Sequence, residues 1–106
     1  QRTGTPQDDV LTGTGAADTL VGLGGDDVLT GAGGDDAISA GAGDDVADAG
    51  AGRDVVFGAA GNDQLFGGAG ADMLVQKLAD TGLVFVVIDH LLIAALYAAS
   101  QHLKEL

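Results

Sequence analysis

Most of this chain follows a nine-residue pattern of polar and apolar positions. Residues 4–75 divide into eight consecutive units without insertions: GTPQDDVLT, GTGAADTLV, GLGGDDVLT, GAGGDDAIS, AGAGDDVAD, AGAGRDVVF, GAAGNDQLF and GGAGADMLV. In each unit the first six positions are mostly Gly, Ala, Asp or Asn, and the last three are mostly apolar or β-branched. The pattern predicts a turn and then a short strand in every unit.

The eighth position of the units carries an apolar column, formed by Leu11, Leu20, Leu29, Ile38, Ala47, Val56, Leu65 and Leu74. In a three-residue strand the middle side chain points opposite to its two neighbours, so this column predicts one shared inward face. The seventh and ninth positions are mixed in character, and we expect them to face outward.

The predicted fold over residues 4–75 is an all-β solenoid. Two or three glycines in most units argue against helix, because each costs roughly 0.5–1 kcal/mol relative to Ala in a helix interior. One unit cannot bury its inner face alone, so the units must stack. Two units make one 18-residue coil, and eight units predict about four coils, spaced by roughly 4.8 Å.

The sixth position is aspartate in all eight units: Asp9, Asp18, Asp27, Asp36, Asp45, Asp54, Asp63 and Asp72. The 106-residue chain has a formal net charge of -12, which argues against nucleic acid and anionic lipid as partners. Calcium takes hard oxygen ligands, which carboxylates and turn carbonyls supply. Transition metals prefer His or Cys; the units contain neither, and the whole chain lacks cysteine.

The units share the pattern G-G-x-G-x-D-x-U-x, where U is a large apolar residue, and this pattern resembles the calcium-binding repeats of RTX proteins. Residues 67–75 satisfy it in full, and residues 58–66 satisfy it except at Ala59. The resemblance implies a right-handed parallel β-roll with calcium in the turns, held by the sixth-position aspartates and by backbone carbonyls of adjacent coils. The implied carbonyl ligands lie near Gly22, Gly24, Gly31, Gly33, Gly41, Gly43, Gly50, Gly52, Gly58, Gly61, Gly67 and Gly70.

Because two units make one coil, the aspartates fall into two rows of four. One row is Asp9, Asp27, Asp45 and Asp63, and the other is Asp18, Asp36, Asp54 and Asp72. Each row has three adjacent pairs, which predicts about six inter-coil calcium sites. Stacked carboxylates repel each other until a divalent cation lies between them. We therefore expect the repeat region to be largely disordered without calcium and to fold with it.

Some positions depart from the pattern. Gln7 and Ala16 stand where the fourth-position glycine belongs, and Pro6 removes a backbone donor, so the N-terminal sites are expected to be weak or to serve as a cap. Arg53 places a positive charge beside Asp54, which lowers calcium affinity there or pairs with a neighbouring aspartate. The fifth-position residues are expected mainly as outward, turn-favouring groups: Asp8, Asp26, Asp35, Asp44 and Asn62. Residues 1–3 carry no signal of their own.

Two alternatives to a calcium-binding roll are a disordered acidic linker and a solenoid held by packing alone. A linker does not need a nine-residue phase with an apolar eighth position. A metal-free solenoid leaves the sixth-position aspartates unexplained.

Residues 76–106 form a separate predicted segment, in which glycine nearly vanishes and residues 83–88 are all apolar. One interpretation is a strand that caps the roll, followed by a helix from Asp89 to about Lys104. Another is a helix from Asp80 or Thr81 through the whole segment. The RTX resemblance implies a type I secretion signal here; a packing cap and a self-association surface are alternatives.

A membrane span and a catalytic site are not expected in this segment. Residues 83–99 are mostly apolar, but Asp89 and His90 lie near their middle, where a charge costs at least about 2.5–3.5 kcal/mol. His90, His102 and Ser100 have no partner motif, so we predict no enzyme.

The sequence thus predicts a calcium-binding module that folds on binding calcium and belongs to the C-terminal part of a secreted, extracellular bacterial protein. Its partners would be calcium and, through the tail, the type I secretion machinery. Alternatives are an adhesion or ice-binding solenoid, or a module of a secreted protease, lipase, epimerase or toxin. The chain starts without Met, and residues 1–10 have no apolar signal-peptide core, which suggests a fragment or processed product.

Overall fold

The computed structural model of the chain describes residues 1–77, 84–88 and 91–93. These residues contain strands and no helix. The strands are β1 (Arg2–Thr3), β2 (Val10–Thr12), β3 (Thr19–Val21), β4 (Val28–Thr30), β5 (Ala37–Ser39), β6 (Val46–Asp48), β7 (Val55–Ala59), β8 (Gln64–Phe66), β9 (Met73–Lys77), β10 (Val84–Ile88) and β11 (Leu91–Ile93).

From β1 to β9, successive strands alternate between two sheets. One sheet has the order β1-β3-β5-β7-β9-β10-β11, and the other has the order β2-β4-β6-β8. From β1 to β9 all pairs are parallel, and partners are 18 residues apart, as in Leu11 with Leu29, except at a register shift in β7 where Ala59 pairs with Gln76. The predicted parallel solenoid of about four 18-residue coils is confirmed.

The eighth-position column forms the core between the sheets. Its members Leu20, Leu29, Ile38, Ala47 and Val56 are buried, and Leu11, Leu65 and Leu74 pack against them. Ala40 and Ala49 stand at the first position of their units and are also fully buried. The seventh and ninth positions are exposed or half-buried, which confirms the alternation that the pattern predicted.

The hydrogen-bond ladder continues into the turns at both ends of each short strand. The amide of Gly22 donates to the carbonyl of Ser39 over 2.8 Å, and the amide of Val28 donates to the carbonyl of Asp9 over 2.9 Å. From Asp9 to Asp54, each sixth-position aspartate is therefore fixed by its own backbone carbonyl against the next coil, directly before a strand begins.

The two ends of the roll differ from the repeating part. At the start, where the sequence carries no signal, Arg2 and Thr3 extend the sheet by pairing in parallel with Leu20 and Val21 of β3. At the other end, β10 pairs antiparallel with β9, and β11 pairs antiparallel with β10. The parallel stacking thus gives way to antiparallel strands after the eighth unit.

The predicted capping strand is confirmed at Val84–Ile88. A helix through the whole tail is wrong there, and a helix from Asp89 is wrong at Leu91–Ile93, because both segments are strands: β10 pairs with β9, and β11 pairs with β10. Residues 78–83, 89–90 and 94–106, with His90, Ser100 and His102, lie outside the described residues. Among the described residues, no helix has the length and apolar character to cross a membrane.

Candidate calcium sites in the turns

The topology brings the sixth-position aspartates into the two predicted rows. Asp9, Asp27, Asp45 and Asp63 precede the strands of the four-stranded sheet, and the other four precede β3, β5, β7 and β9. Asp9 and Asp18 are partly buried, whereas the other six are buried, with Asp27, Asp45 and Asp54 at 1% exposure or less. Such burial of charged side chains is rare unless partners compensate it.

From Asp27 to Asp72, one carboxylate oxygen of each row member is held by the coil before it. The amide of Asp9 donates to Oδ1 of Asp27 over 2.8 Å, and the amide of Asp27 donates to Oδ1 of Asp45 over 2.7 Å. The bonds continue to Asp63, and the other row repeats them from Asp18 to Asp72 at 2.8–2.9 Å. Charge-assisted bonds of this kind fix the orientation of each carboxylate.

The second carboxylate oxygen has no partner in five of these residues. The Oδ2 atoms of Asp27, Asp36, Asp45, Asp54 and Asp63 are buried and accept no hydrogen bond. A buried acceptor without a donor costs on the order of 1–3 kcal/mol, and more when it is charged. A cation is the partner that such a row of oxygens lacks.

A backbone carbonyl of the next coil lies beside two of these oxygens, those of Asp27 and Asp36. An alanine methyl built on Gly31 would lie 2.6 Å from Oδ2 of Asp36 and 2.6 Å from the carbonyl oxygen of Ala49. A methyl on Gly22 would likewise meet Asp27 Oδ2 and the Ala40 carbonyl. Among the described residues, no backbone amide donates to either carbonyl. Gly22 and Gly31 therefore leave room between a carboxylate oxygen and a backbone carbonyl oxygen.

The glycines that the sequence analysis placed near the carbonyl ligands differ by their position in the unit. At the second and fourth positions, a methyl built on the glycine would strike the carbonyl of the equivalent residue one coil earlier. Those carbonyls therefore point into the following turn, and the glycines concerned are Gly41, Gly43, Gly50, Gly52, Gly61 and Gly70. At the third position, Gly24 and Gly33 make only ordinary approaches to the preceding coil, at 3.4 Å or more. A carbonyl row thus accompanies each aspartate row.

The donor set suits calcium. Within the part of the chain that the structure describes, no three His, Asp or Glu side chains come together as a metal site. Ligands for a cation here would be one or two carboxylates with backbone carbonyls, all hard oxygens in adaptable turns, and calcium accepts such a set.

Burial and mutual repulsion perturb the carboxylates of the rows. Desolvation raises the pKa values of Asp27, Asp36 and Asp63. It raises the pKa of Asp45 and of Asp54 to about 6, and the charges of the aspartates in the coils on both sides add to the effect. The donating amides offset only part of it. The central members of each row therefore hold their negative charge least easily when no cation is present.

The first two turns differ from the rest. In units three to eight the second and fourth residues both have positive φ, for example Leu23 at 70° and Gly25 at 85°. In units one and two neither position does, and Thr5 and Thr14 at the second position bond the aspartate of their own unit. The Thr14 amide in particular lowers the pKa of Asp18, opposite to the raised pKa of Asp36 in the next coil.

The fifth-position residues form a second, exposed ladder that the sequence interpretation missed. Oδ1 of Asp8 accepts from the Asp26 amide over 2.7 Å, Oδ1 of Asp26 from the Asp44 amide, and Oδ1 of Asp44 from the Asn62 amide. These bonds run from each coil back to the one before, opposite to those of the buried rows. The sequence signal for this ladder is the recurrence of side chains with an acceptor oxygen at the fifth position of units 18 residues apart. The residues are exposed, as predicted.

Arg53 takes part in the exposed ladder through its backbone. Its amide donates to Oδ1 of Asp35 over 2.9 Å, and the residue as a whole is exposed. The effect of its charge on the neighbouring Asp54 stays a prediction.

A parallel solenoid with buried carboxylate rows in its turns defines the chain as a cation-binding repeat protein. A family profile described as RTX calcium-binding nonapeptide repeat, in four copies, matches residues 3–38, 12–47 and 39–74. These matches cover well over half of the chain, which therefore belongs to this family and is a calcium-binding repeat module of the β-roll type. No curated protein matches the sequence.

Proposed function

We propose that the chain is a folding switch operated by calcium, in which ions bind between successive members of the two aspartate rows. The observation that carries this proposal is the set of five buried Oδ2 atoms without hydrogen-bond partners. Those of Asp27 and Asp36 lie beside the Ala40 and Ala49 carbonyls of the next coil, so one ion would satisfy oxygens from two coils at once. The ligands would be the sixth-position carboxylates that carry these atoms, with the turn carbonyls described above.

The residues of the chain prepare this site in two ways. From Asp27 to Asp72, the amide of the preceding coil holds Oδ1 of the carboxylate and thereby leaves Oδ2 for another partner. In units three and four the first-position glycines, Gly22 and Gly31, keep the space beside Oδ2 free of a side chain. Bound calcium would supply positive charge between carboxylates that otherwise repel each other.

In this proposal calcium is required for folding because the apolar core buries few large side chains. Three of its seven buried members, Ala40, Ala47 and Ala49, are alanines. Their burial contributes little, since each methyl covers only a small apolar area. The repelling carboxylates must therefore be neutralised before the coils stack stably.

The biological setting that fits such a switch is export. A chain that stays unfolded at low cytosolic calcium passes through a secretion channel and then folds outside, where calcium is plentiful. We propose that the module belongs to a type I secreted extracellular bacterial protein, with residues 76–106 as export signal or cap. The family membership supports this setting, since RTX repeats are typical of secreted proteins.

Circular dichroism of the 106-residue chain during a calcium titration tests the proposal. We expect little β-signal in chelator and a cooperative gain on adding calcium. An Asp45→Asn/Asp54→Asn variant should bind fewer ions and show a smaller gain, because Asn keeps the Oδ1 acceptor but loses the charge. The matched control is Asp48→Asn, at an exposed aspartate outside the rows. A complete β-signal in chelator would contradict the proposal.

A further inference from the structure

We propose that threonine, and not calcium, closes the first coil, so that the inter-coil calcium sites begin at Asp27 and Asp36. This inference rests on the proposed calcium binding and refines it. The pairs that remain are Asp27 with Asp45, Asp45 with Asp63, Asp36 with Asp54, and Asp54 with Asp72. The roll then has four inter-coil sites where the spacing alone predicts about six.

The first observation is that Asp9 and Asp18 have no free carboxylate oxygen. The amide of Thr5 donates to Oδ2 of Asp9 over 2.6 Å, and the amide of Thr14 donates to Oδ2 of Asp18 over 2.6 Å. In both turns the threonine hydroxyl also lies 3.1 Å from the same Oδ2. The atom that is without a partner from Asp27 to Asp63 thus has a hydrogen-bond donor here, supplied by a neighbour four residues away.

The second observation concerns the other oxygen. In later coils Oδ1 accepts the amide of the aspartate one coil earlier, as Asp27 does from Asp9 and Asp36 does from Asp18. The Thr5 hydroxyl lies 3.1 Å from Oδ1 of Asp9, and the Thr14 hydroxyl lies 3.3 Å from Oδ1 of Asp18. Each hydroxyl therefore stands in the place of the donor that a preceding coil would supply.

The third observation is that the backbone of these turns is built for this closure. The amides of Gln7 and Ala16 donate back to the hydroxyls of Thr5 and Thr14 over 3.2 and 3.1 Å. In units three to eight the fourth residue is a glycine with positive φ, and its absence in units one and two accompanies the different turn. Residues with a Cβ disfavour that left-handed conformation.

The consequence is that the first coil differs from the later ones. Its carboxylates are satisfied by the amides and hydroxyls of Thr5 and Thr14 and need no ion for that purpose. The later coils carry the unpartnered oxygens and stack on the first coil as calcium binds. Threonine in the second position, together with a residue other than glycine in the fourth, marks where the calcium rows start.

Counting the calcium bound per chain at saturation, by equilibrium dialysis and metal analysis, tests the inference. We expect an Asp9→Asn/Asp18→Asn variant to bind as many ions as the unmodified chain. The matched Asp27→Asn/Asp36→Asn variant, one coil further on, should lose about two. Loss of one or more ions in the first variant overturns the inference. An unmodified chain that binds no calcium overturns the proposed function instead, so the two failures are distinguishable.

Amide hydrogen exchange of the unmodified, calcium-saturated chain gives a second measurement that requires no substitution. The amides of Thr5 and Thr14 should stay protected, because their bonds to Asp9 and Asp18 persist when calcium is bound. Rapid exchange at both amides in calcium, with protection retained at the amides of Asp27 and Asp36, would show that calcium displaces the threonines and would overturn the inference.

Discussion

Alanine in place of Gly43 tests whether the fourth-position glycines are required for the coils to stack. Gly43 has a φ of 104° and lies in the middle of the roll. A methyl built on it would lie 2.7 Å from the carbonyl carbon of Gly25 and closer still to the carbonyl oxygen. Both neighbours are backbone, so neither can rotate away as a side chain would.

The expected loss in the free energy of unfolding follows from two effects, the positive φ of residue 43 and the contact with the Gly25 carbonyl. An L-residue in the left-handed region costs roughly 1–2 kcal/mol. Moving the coils apart to relieve the contact stretches the adjoining bond from the Asp44 amide to the Asp26 carboxylate, 2.8 Å long. A hydrogen bond to a charged group contributes about 1.5–3 kcal/mol, so we expect a total loss of about 3 kcal/mol.

The assay is urea unfolding of Gly43→Ala at a fixed, saturating calcium concentration, followed by circular dichroism. The matched control is Gly33→Ala, at the third position of a neighbouring coil. Gly33 lacks a positive φ, and a methyl on it would approach Gly15 no closer than 3.5 Å. We expect Gly33→Ala to change the free energy of unfolding by at most about 1 kcal/mol, in the stabilising direction, because it restricts the unfolded chain.

Equal stabilities of the two variants would refute the argument. Alanine keeps the backbone carbonyl at either position, so the comparison does not depend on removing a calcium ligand. A result in which Gly43→Ala is as stable as the unmodified chain would mean that the coils separate at that turn without losing the ladder.

Three further predictions concern the core, pH and the ion. Leu29→Ala should lower the free energy of unfolding by about 2–5 kcal/mol because it empties a fully buried position. In the presence of chelator, the circular dichroism signal of β-structure should rise as pH falls from neutral. Burial raises the pKa of Asp45 and of Asp54 from 3.8 to about 6. The folded state therefore binds protons more tightly than the unfolded chain. This stabilisation, on the order of 3 kcal/mol per carboxyl, is complete below about pH 4 and is lost as pH rises through about 6. Magnesium should not replace calcium, because it demands near-ideal octahedral geometry and dehydrates reluctantly.

Each of these predictions has its own control. Val10→Ala, at a position 75% exposed, should change stability by less than about 0.5 kcal/mol, and a loss equal to that of Leu29→Ala would contradict the assignment of the core. A β-signal in chelator that falls between pH 7.5 and 4.5 would contradict the pH argument. The magnesium titration is followed at the same wavelength as the calcium one, and an equal gain in signal would refute the expected selectivity.

The repeat fold could be predicted from the sequence because its determinants are local and recur. Turn-forming residues, a short apolar strand and an inward eighth position stand in every unit, so each unit supports the same conclusion. The alternation of two sheets follows from stacking such units, and it also gives the two aspartate rows. Residues 1–3 and 76–106 have no such repetition. The sequence therefore does not predict β1, and in the tail it does not decide between strand and helix.

The atomic character of the candidate site could not be predicted in the same way. The sequence identifies Asp27 and Asp45 as neighbours, but not that the amide of one occupies Oδ1 of the other and leaves Oδ2 buried and free. Nor does it show that Asp9, with the same spacing, is closed by Thr5. Both depend on which donors reach hydrogen-bond distance once coils 18 residues apart are stacked.

By itself, then, the sequence determined the period, the inward column and the carboxylate rows, since these require only that identical units stack in register. The tertiary structure alone decided which oxygen of each carboxylate is satisfied, in which direction the buried and exposed ladders run, and how each end of the roll is completed. These features depend on distances between backbone groups of different coils, and a repeating pattern of residue types does not contain such distances.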